Sequence, residues 1–109
     1  MTTPPDITGS TKVFVRLADR TGAAEVASVK SIDTGTISVA TECAGKGKLI
    51  VAVGELATYT IPCEAKSSTT YNEIGVGSTK HQVGITVKTN SGIHWGLSVG
   101  WRRGAQHTP

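Results

Sequence analysis

The sequence predicts an all-β domain, an antiparallel β-sandwich of about seven or eight short strands, with a small β-barrel as the alternative. Two observations predict this class. Apolar and polar residues alternate along most of the chain, which is the period of a strand with one buried face. Glycine and aspartate turn signals separate the alternating runs, and no long segment has helical periodicity.

The first third of the chain predicts two strands. One begins near Lys12 and alternates through Ala18, and residues 19–22 (Asp-Arg-Thr-Gly) predict the turn after it. Residues 23–32 suit either a short helix or a strand, and we favour a strand. Asp33-Thr34-Gly35 predicts a turn, because aspartate can bond its own downstream backbone and glycine accepts positive φ.

The middle of the chain predicts an antiparallel meander. Strands are expected over 37–43, 48–53 and 56–63, and glycine-containing turns separate them. Pro62 cannot donate to a sheet ladder, so it predicts a strand end or an edge strand.

The last third predicts a loop, a short strand and a hairpin. Residues 64–70 are polar, 71–76 suit a short strand, and strands over 82–89 and 93–101 flank the turn Asn90-Ser91-Gly92. One face of the last strand carries Ile93, Trp95, Leu97, Val99 and Trp101. Its other face carries only His94, Gly96, Ser98 and Gly100, which predicts either a closely approaching backbone or solvent there.

Size and composition predict one domain. The 109 residues divide into a flexible Thr/Pro-rich tether (1–11), a single β-sandwich domain (12–101) and a polar C-terminal tail (102–109). No apolar run approaches the roughly 20 residues that cross a bilayer. The net charge is +3, but the cations are scattered, so we expect no nucleic-acid partner.

The two cysteines are expected to form a disulfide. Cys43 and Cys63 each end an apolar, β-branched run, and neither has a metal-type CxxC neighbour. The alternative is a pair of small buried thiols. A disulfide would indicate an exported protein.

Two stretches resemble small secreted proteins and putative lipoproteins of actinobacteria such as Streptomyces. The segment 37–53, with Cys43 followed by Ala-Gly-Lys-Gly, is similar to their strand, cysteine, glycine turn, strand pattern. Ile61-Pro62-Cys63 is similar to their second cysteine, and 93–99 to their Trp-containing closing strand. The resemblance implies a β-sandwich that is secreted or held at the extracellular face of the cell envelope. It implies membrane contact only through a lipid anchor that is absent from this chain.

Catalytic and metal-binding patterns are weak. Asp33-Thr34-Gly35 resembles the motif of aspartic proteases, and the retroviral-type enzymes of about this length use one such aspartate from each subunit of a dimer. Ile74-Gly75-Val76-Gly77 is only a loose counterpart of their second element. The three histidines, His81, His94 and His107, lack ligand spacing, and no Gly-x-Ser-x-Gly elbow exposes a serine. We therefore expect no catalytic residues, no metal and no cofactor.

The expected function is a non-catalytic extracellular or cell-envelope binding module. Its ligand would be an unknown protein or carbohydrate, and the candidate ligand platform is Trp101, Tyr59, Tyr71 and His94, with core packing as the alternative for the tryptophan. A secreted protease inhibitor presenting a rigid loop, 64–70 or 90–92, is the second hypothesis. An aspartic-protease-like homodimer using Asp33 is the third, and the oligomeric state is not predicted.

Overall fold

A computed structural model of the chain describes residues 3–7, 9–89 and 92–104 as two antiparallel sheets of four strands each. No helix occurs in these ranges. The β-sandwich prediction is therefore confirmed. The strands are β1 (Lys12–Thr21), β2 (Ala24–Ile32), β3 (Gly35–Ala44), β4 (Gly47–Val53), β5 (Ala57–Cys63), β6 (Ser68–Val76), β7 (Lys80–Thr89) and β8 (His94–Arg102).

The strand order follows one simple rule. Sheet A has the order β1-β8-β3-β6 and sheet B the order β2-β7-β4-β5. Each strand of the first half thus pairs with its mirror-image strand of the second half: β1 with β8, β2 with β7, β3 with β6 and β4 with β5. This is a long hairpin that rolls up so that β3 also pairs with β8 and β4 with β7. The result is the order of an eight-stranded jelly roll.

Two predicted local pairings are wrong. The β7–β8 hairpin at Asn90-Ser91-Gly92 does not form, because β7 lies in sheet B and β8 in sheet A. The meander is right only for β4 and β5, since β3 and β4 also lie in different sheets. Between β3 and β4, and again between β7 and β8, the chain passes from one sheet to the other. Asn90 and Ser91 themselves lie outside the described residues.

The first strand is longer than predicted. Residues 19–21 continue β1 instead of forming a turn, and the pairing with β8 shifts register between Leu17 and Arg20. Asp19 has a φ of 52° there, a left-handed conformation that a β-bulge accommodates. Asp19, which was expected in a turn, therefore lies in a β-bulge of β1. By contrast, the strand favoured over 23–32 is confirmed as β2.

The core lies between the sheets, where the inward-facing residues of the central strands are the most buried. Ile37, Val39, Leu97 and Val99 of sheet A have no exposed area. Leu49, Val51, Val53 and Ile85 of sheet B are equally buried. The face of β8 that carries Leu97 and Val99 is thus the buried one, as its alternation with small and polar residues indicated.

The predicted disulfide is confirmed. Cys43 of β3 is bonded to Cys63 of β5, with 5.6 Å between their Cα atoms, and so joins sheet A to sheet B. Beside it, the Gly45 N–H donates to the Glu64 carbonyl at 2.7 Å. Pro62, one residue before the bridge, lies on the edge strand β5 as its missing N–H predicts.

Residues 3–7 and 9–11, which we assigned to a tether, contact the outer face of sheet A. Pro5 and Ile7 are buried, and the Pro5 carbonyl accepts a 2.6 Å hydrogen bond from Ser98 Oγ. A Cβ added to Gly100 would lie 2.7 Å from Ile7 Cδ1. The bare face of β8 therefore admits a second backbone, one of the two predicted alternatives.

Replacing Thr41 by valine is expected to stabilise the domain. Thr41 has no exposed area, and among the described residues its Oγ1 has no hydrogen-bond partner. An unsatisfied buried hydroxyl costs about 1–3 kcal/mol, and valine has nearly the same shape, so T41V should raise the free energy of unfolding by about 1 kcal/mol. Urea and thermal unfolding measure this. Thr41→Ser is the control, since it keeps the hydroxyl and loses the methyl. A less stable T41V would mean that Oγ1 does have a partner.

Candidate functional site

Beyond the N-terminal segment, the outer face of sheet A carries a hydrogen-bonded polar cluster formed by Ser38, Tyr71, Glu73 and Arg102. The sheet register explains the grouping. Ser38 of β3 is directly opposite Glu73 of β6, and Arg102 of β8 is opposite Thr36, two residues before Ser38. Outward-pointing side chains of three strands therefore meet at one place.

The contacts of this cluster close a ring. Arg102 Nη1 donates to Glu73 Oε2 at 3.0 Å and to Ser38 Oγ at 3.2 Å. The Tyr71 hydroxyl lies 2.9 Å from Ser38 Oγ and 3.1 Å from Glu73 Oε2. Ser38 is fully buried and anchors this ring of hydrogen bonds, whereas Tyr71 is 48% exposed. The tyrosine is therefore held by its hydroxyl while its ring faces solvent.

The electrostatics of the cluster keep both charges in place. The hydrogen bond from Arg102 lowers the pKa of Glu73, and the same bond raises the pKa of Arg102. Because the Glu73 pKa is lower in the folded chain, the pair stabilises the fold above the pKa that Glu73 has in the unfolded chain. That contribution is lost as the pH falls through the lowered folded pKa. Glu73 is thus an anion at neutral pH.

The four residues of the predicted platform do not meet. Trp101 is only 5% exposed, its ring belongs to the core, and its Nε1 donates to the Asp33 carbonyl at 3.1 Å. It therefore takes the core alternative. Tyr59 lies in sheet B, half-buried against the core, and this burial raises its pKa. Of the two tyrosines and Trp101, Tyr71 alone has a substantially exposed ring.

His94 begins β8, far along the strand from Trp101. Its Nδ1 lies 3.0 Å from Oδ1 of Asp19, the residue at the β1 bulge, and more than half of each side chain is exposed. Such an exposed pair contributes little to stability. The histidine is therefore a surface contact at the opposite end of sheet A from the Arg102 cluster.

Asp33-Thr34-Gly35 is the turn between β2 and β3, as its non-catalytic interpretation predicts. The Asp33 side chain is exposed, and its backbone carbonyl binds Trp101 Nε1. A Cβ added to Gly35 would meet the Arg102 carbonyl and lie 2.7 Å from Trp101 Nε1, so close packing explains the glycine. The turn borders a 650 Å³ groove whose lining is mostly glycine backbone, with Thr34, Val76 and Arg103.

A second groove of about 410 Å³ lies where the β4–β5 turn meets the start of β7. It is lined by Glu55, Lys80, His81 and Gln82 together with Gly54, Leu56 and Val83. No group of three or more His, Cys, Asp or Glu side chains that could hold a metal occurs in the described ranges. His107 lies outside them. Nothing in the described part of the chain indicates an enzyme.

The first of the two loops in the inhibitor hypothesis, 64–70, is shorter than expected. Residues 68–70 of the predicted loop 64–70 belong to β6, which leaves 64–67 between the strands. Ser67 Oγ donates to Glu42 Oε2 at 2.6 Å and ties this connection to β3. In the other loop, 90–92, only Gly92 lies within the described residues.

Sequence reasoning missed Ser38, Glu73 and Arg102. Each stands on a different strand, and only the pairing of β3 with both β6 and β8 brings them together. The one local signal was the alternation Tyr71-Asn72-Glu73, which places two polar side chains on one face of a strand.

Comparison with models of known protein families gave no match, and neither did comparison with curated proteins. Among the described residues, no helix is long and apolar enough to cross a membrane.

Proposed function

We propose that this chain is a non-catalytic binding module that works outside the cytoplasm and binds a carbohydrate through Tyr71, Glu73 and Arg102. The observation that carries the proposal is the exposed Tyr71 ring, which is fixed at its hydroxyl beside an ion pair. An aromatic ring that is half out of water and cannot turn freely is suited to stack on an apolar ligand face.

The ring and the ion pair supply complementary contacts. The C–H face of a pyranose ring is apolar and flat, as is the face of Tyr71. The hydroxyls at the rim of a sugar need donors and acceptors, and a guanidinium has five N–H donors in a planar fork while a carboxylate accepts. The hydrogen bonds from Arg102 to Ser38 and Glu73 both use Nη1, so neither uses the other nitrogens of the guanidinium. About a third of the Glu73 side chain is exposed. Because the cluster is already hydrogen-bonded, little conformational entropy is lost on binding.

One observation and one expectation from the sequence support a location outside the cytoplasm. A disulfide that joins the two sheets of a small domain is typical of oxidising compartments, because the cytosol keeps thiols reduced. The resemblance to secreted and envelope proteins of actinobacteria implies the same location. An envelope-associated carbohydrate ligand would be consistent with both.

The test is binding to defined oligosaccharides. Tetrasaccharides of glucose and of N-acetylglucosamine, with α and β linkages, are titrated into isotopically labelled protein. The changes in amide chemical shift, followed by NMR, give the Kd. We expect at least one to shift residues around Tyr71, and Tyr71→Ala to weaken its binding at least tenfold. His94→Ala is the matched control, an exposed ring at the other end of sheet A, and should leave the Kd unchanged. Binding that survives Tyr71→Ala, or no binding across the panel, would contradict the proposal.

A further inference from the structure

The four edge strands of the sandwich differ in how well they resist pairing with another chain. An open edge presents unpaired N–H and C=O groups, and proteins protect such edges with bulges, prolines and charges. β1 has two register shifts against β8, β2 has one against β7, and β5 contains Pro62. These three edges are each interrupted.

β6 has none of these protections. All nine of its residues pair with β3 in unbroken register, from Ser68 opposite Cys43 to Val76 opposite Gly35. Its sequence, STTYNEIGV, has no proline or lysine, and its one charge, Glu73, is paired with Arg102 of its own chain. β6 is therefore a long, regular and nearly uncharged edge.

From this contrast we propose that two copies of the chain associate through their β6 edges as antiparallel strands. The two A sheets then form one continuous eight-stranded sheet. A second copy fits because it presents the same unprotected edge, of the same length. The proposal does not depend on carbohydrate binding.

The composition of β6 favours one register. Full overlap of nine residues places Asn72 on the two-fold axis, directly opposite Asn72 of the second copy. Glu73 then faces the uncharged Tyr71 of the second copy, whereas an axis at Glu73 would put two carboxylates opposite each other. Like charges directly opposite destabilise a pair of strands. The Asn72-centred register therefore combines the longest overlap with no like charges directly opposite each other.

This pairing would join two polar clusters. Tyr71 and Glu73 project from the outer face of β6, so the clusters of both copies would lie side by side on one continuous face. The module would then present two equivalent sites to an extended ligand. Binding at one site would raise the effective concentration of the ligand at the other site.

Sedimentation equilibrium and cross-linking test the proposal. The wild type should shift with rising concentration from 11.3 kDa towards twice that mass. Asn72→Cys should give a disulfide-linked dimer under mild oxidation, because directly opposite residues lie about 4.5–5.5 Å apart between Cα atoms, within the range a disulfide spans. Thr69→Cys is the control, since its two copies would be about 20 Å apart along the strands.

Three results would overturn the proposal. One is a wild type that remains at 11.3 kDa up to millimolar concentration. Another is a Thr69→Cys variant that cross-links as fast as Asn72→Cys, which would show random collision. The wild-type measurement is independent of how well either variant folds. Association seen only on adding an unrelated extended peptide would assign the edge to a different partner and also reject the dimer.

Discussion

Removing the Cys43–Cys63 disulfide by the double change Cys43→Ala and Cys63→Ala is expected to lower the free energy of unfolding by about 3 kcal/mol. The bridge closes a loop with a sequence separation of 20 residues, and the chain-entropy model assigns about 3 kcal/mol to a loop of that size. It also joins the two sheets, which otherwise cohere through side-chain packing. Since small domains have only about 5–15 kcal/mol of stability, the loss is large.

Urea denaturation of the wild type and the double variant measures the difference. Reductant should destabilise the wild type and have no effect on the double variant, which provides the control. A loss below about 1 kcal/mol would mean that the loop ends stay close together even in the unfolded chain.

Replacing Trp95 by alanine is expected to cost about 3–5 kcal/mol, which is the range for deleting a buried tryptophan. Trp95 is 1% exposed, lies opposite Cys43 in the β3–β8 ladder, and packs in the core beside the bridge. Its Nε1 also donates to the Gly22 carbonyl at 3.0 Å, just before β2 begins. One side chain therefore supports the core and the connection between the two sheets.

Trp95→Phe separates these two roles. Phenylalanine keeps much of the ring volume but cannot donate to Gly22. The free energy of unfolding of Trp95→Phe should therefore lie between those of the wild type and the alanine variant. Thermal unfolding, followed by the fluorescence of Trp101, gives the order of stability for all three. An alanine variant as stable as the phenylalanine variant would mean that packing around position 95 contributes little.

The sequence predicted the strands better than their partners. Period-2 alternation depends on which face of a strand is buried, and it correctly grouped Trp95, Leu97 and Val99 of β8 on the buried face. Turn residues show only that the chain reverses. After Thr89 the reversal crosses to the other sheet, so the same signal that suggested a β7–β8 hairpin was compatible with a sandwich crossing.

The candidate site could be predicted only in part, because the sequence does not show which strands pair. Of the candidate platform residues, Tyr71 is 48% exposed and lies in the polar cluster, whereas Trp101 lies in the core. Glu73 and Arg102 could not be found from local pattern, because their contact needs the β6, β3, β8 neighbourhood. The bare face of β8 was informative, since only close approach of another chain segment explains Gly100 against Ile7.

The mirror-image pairing of strands has a consequence for how the domain folds. Only β4 and β5 are neighbours both in sequence and in a sheet, so the first ladder to form cheaply is theirs. Each later pair, β3 with β6 and then β2 with β7, closes a longer stretch of chain, and β1 reaches β8 only when most of the chain is ordered. Such non-local topologies fold in about milliseconds to seconds rather than microseconds. We therefore expect the face of sheet A that residues 3–7 and 9–11 contact to be completed last as each molecule folds.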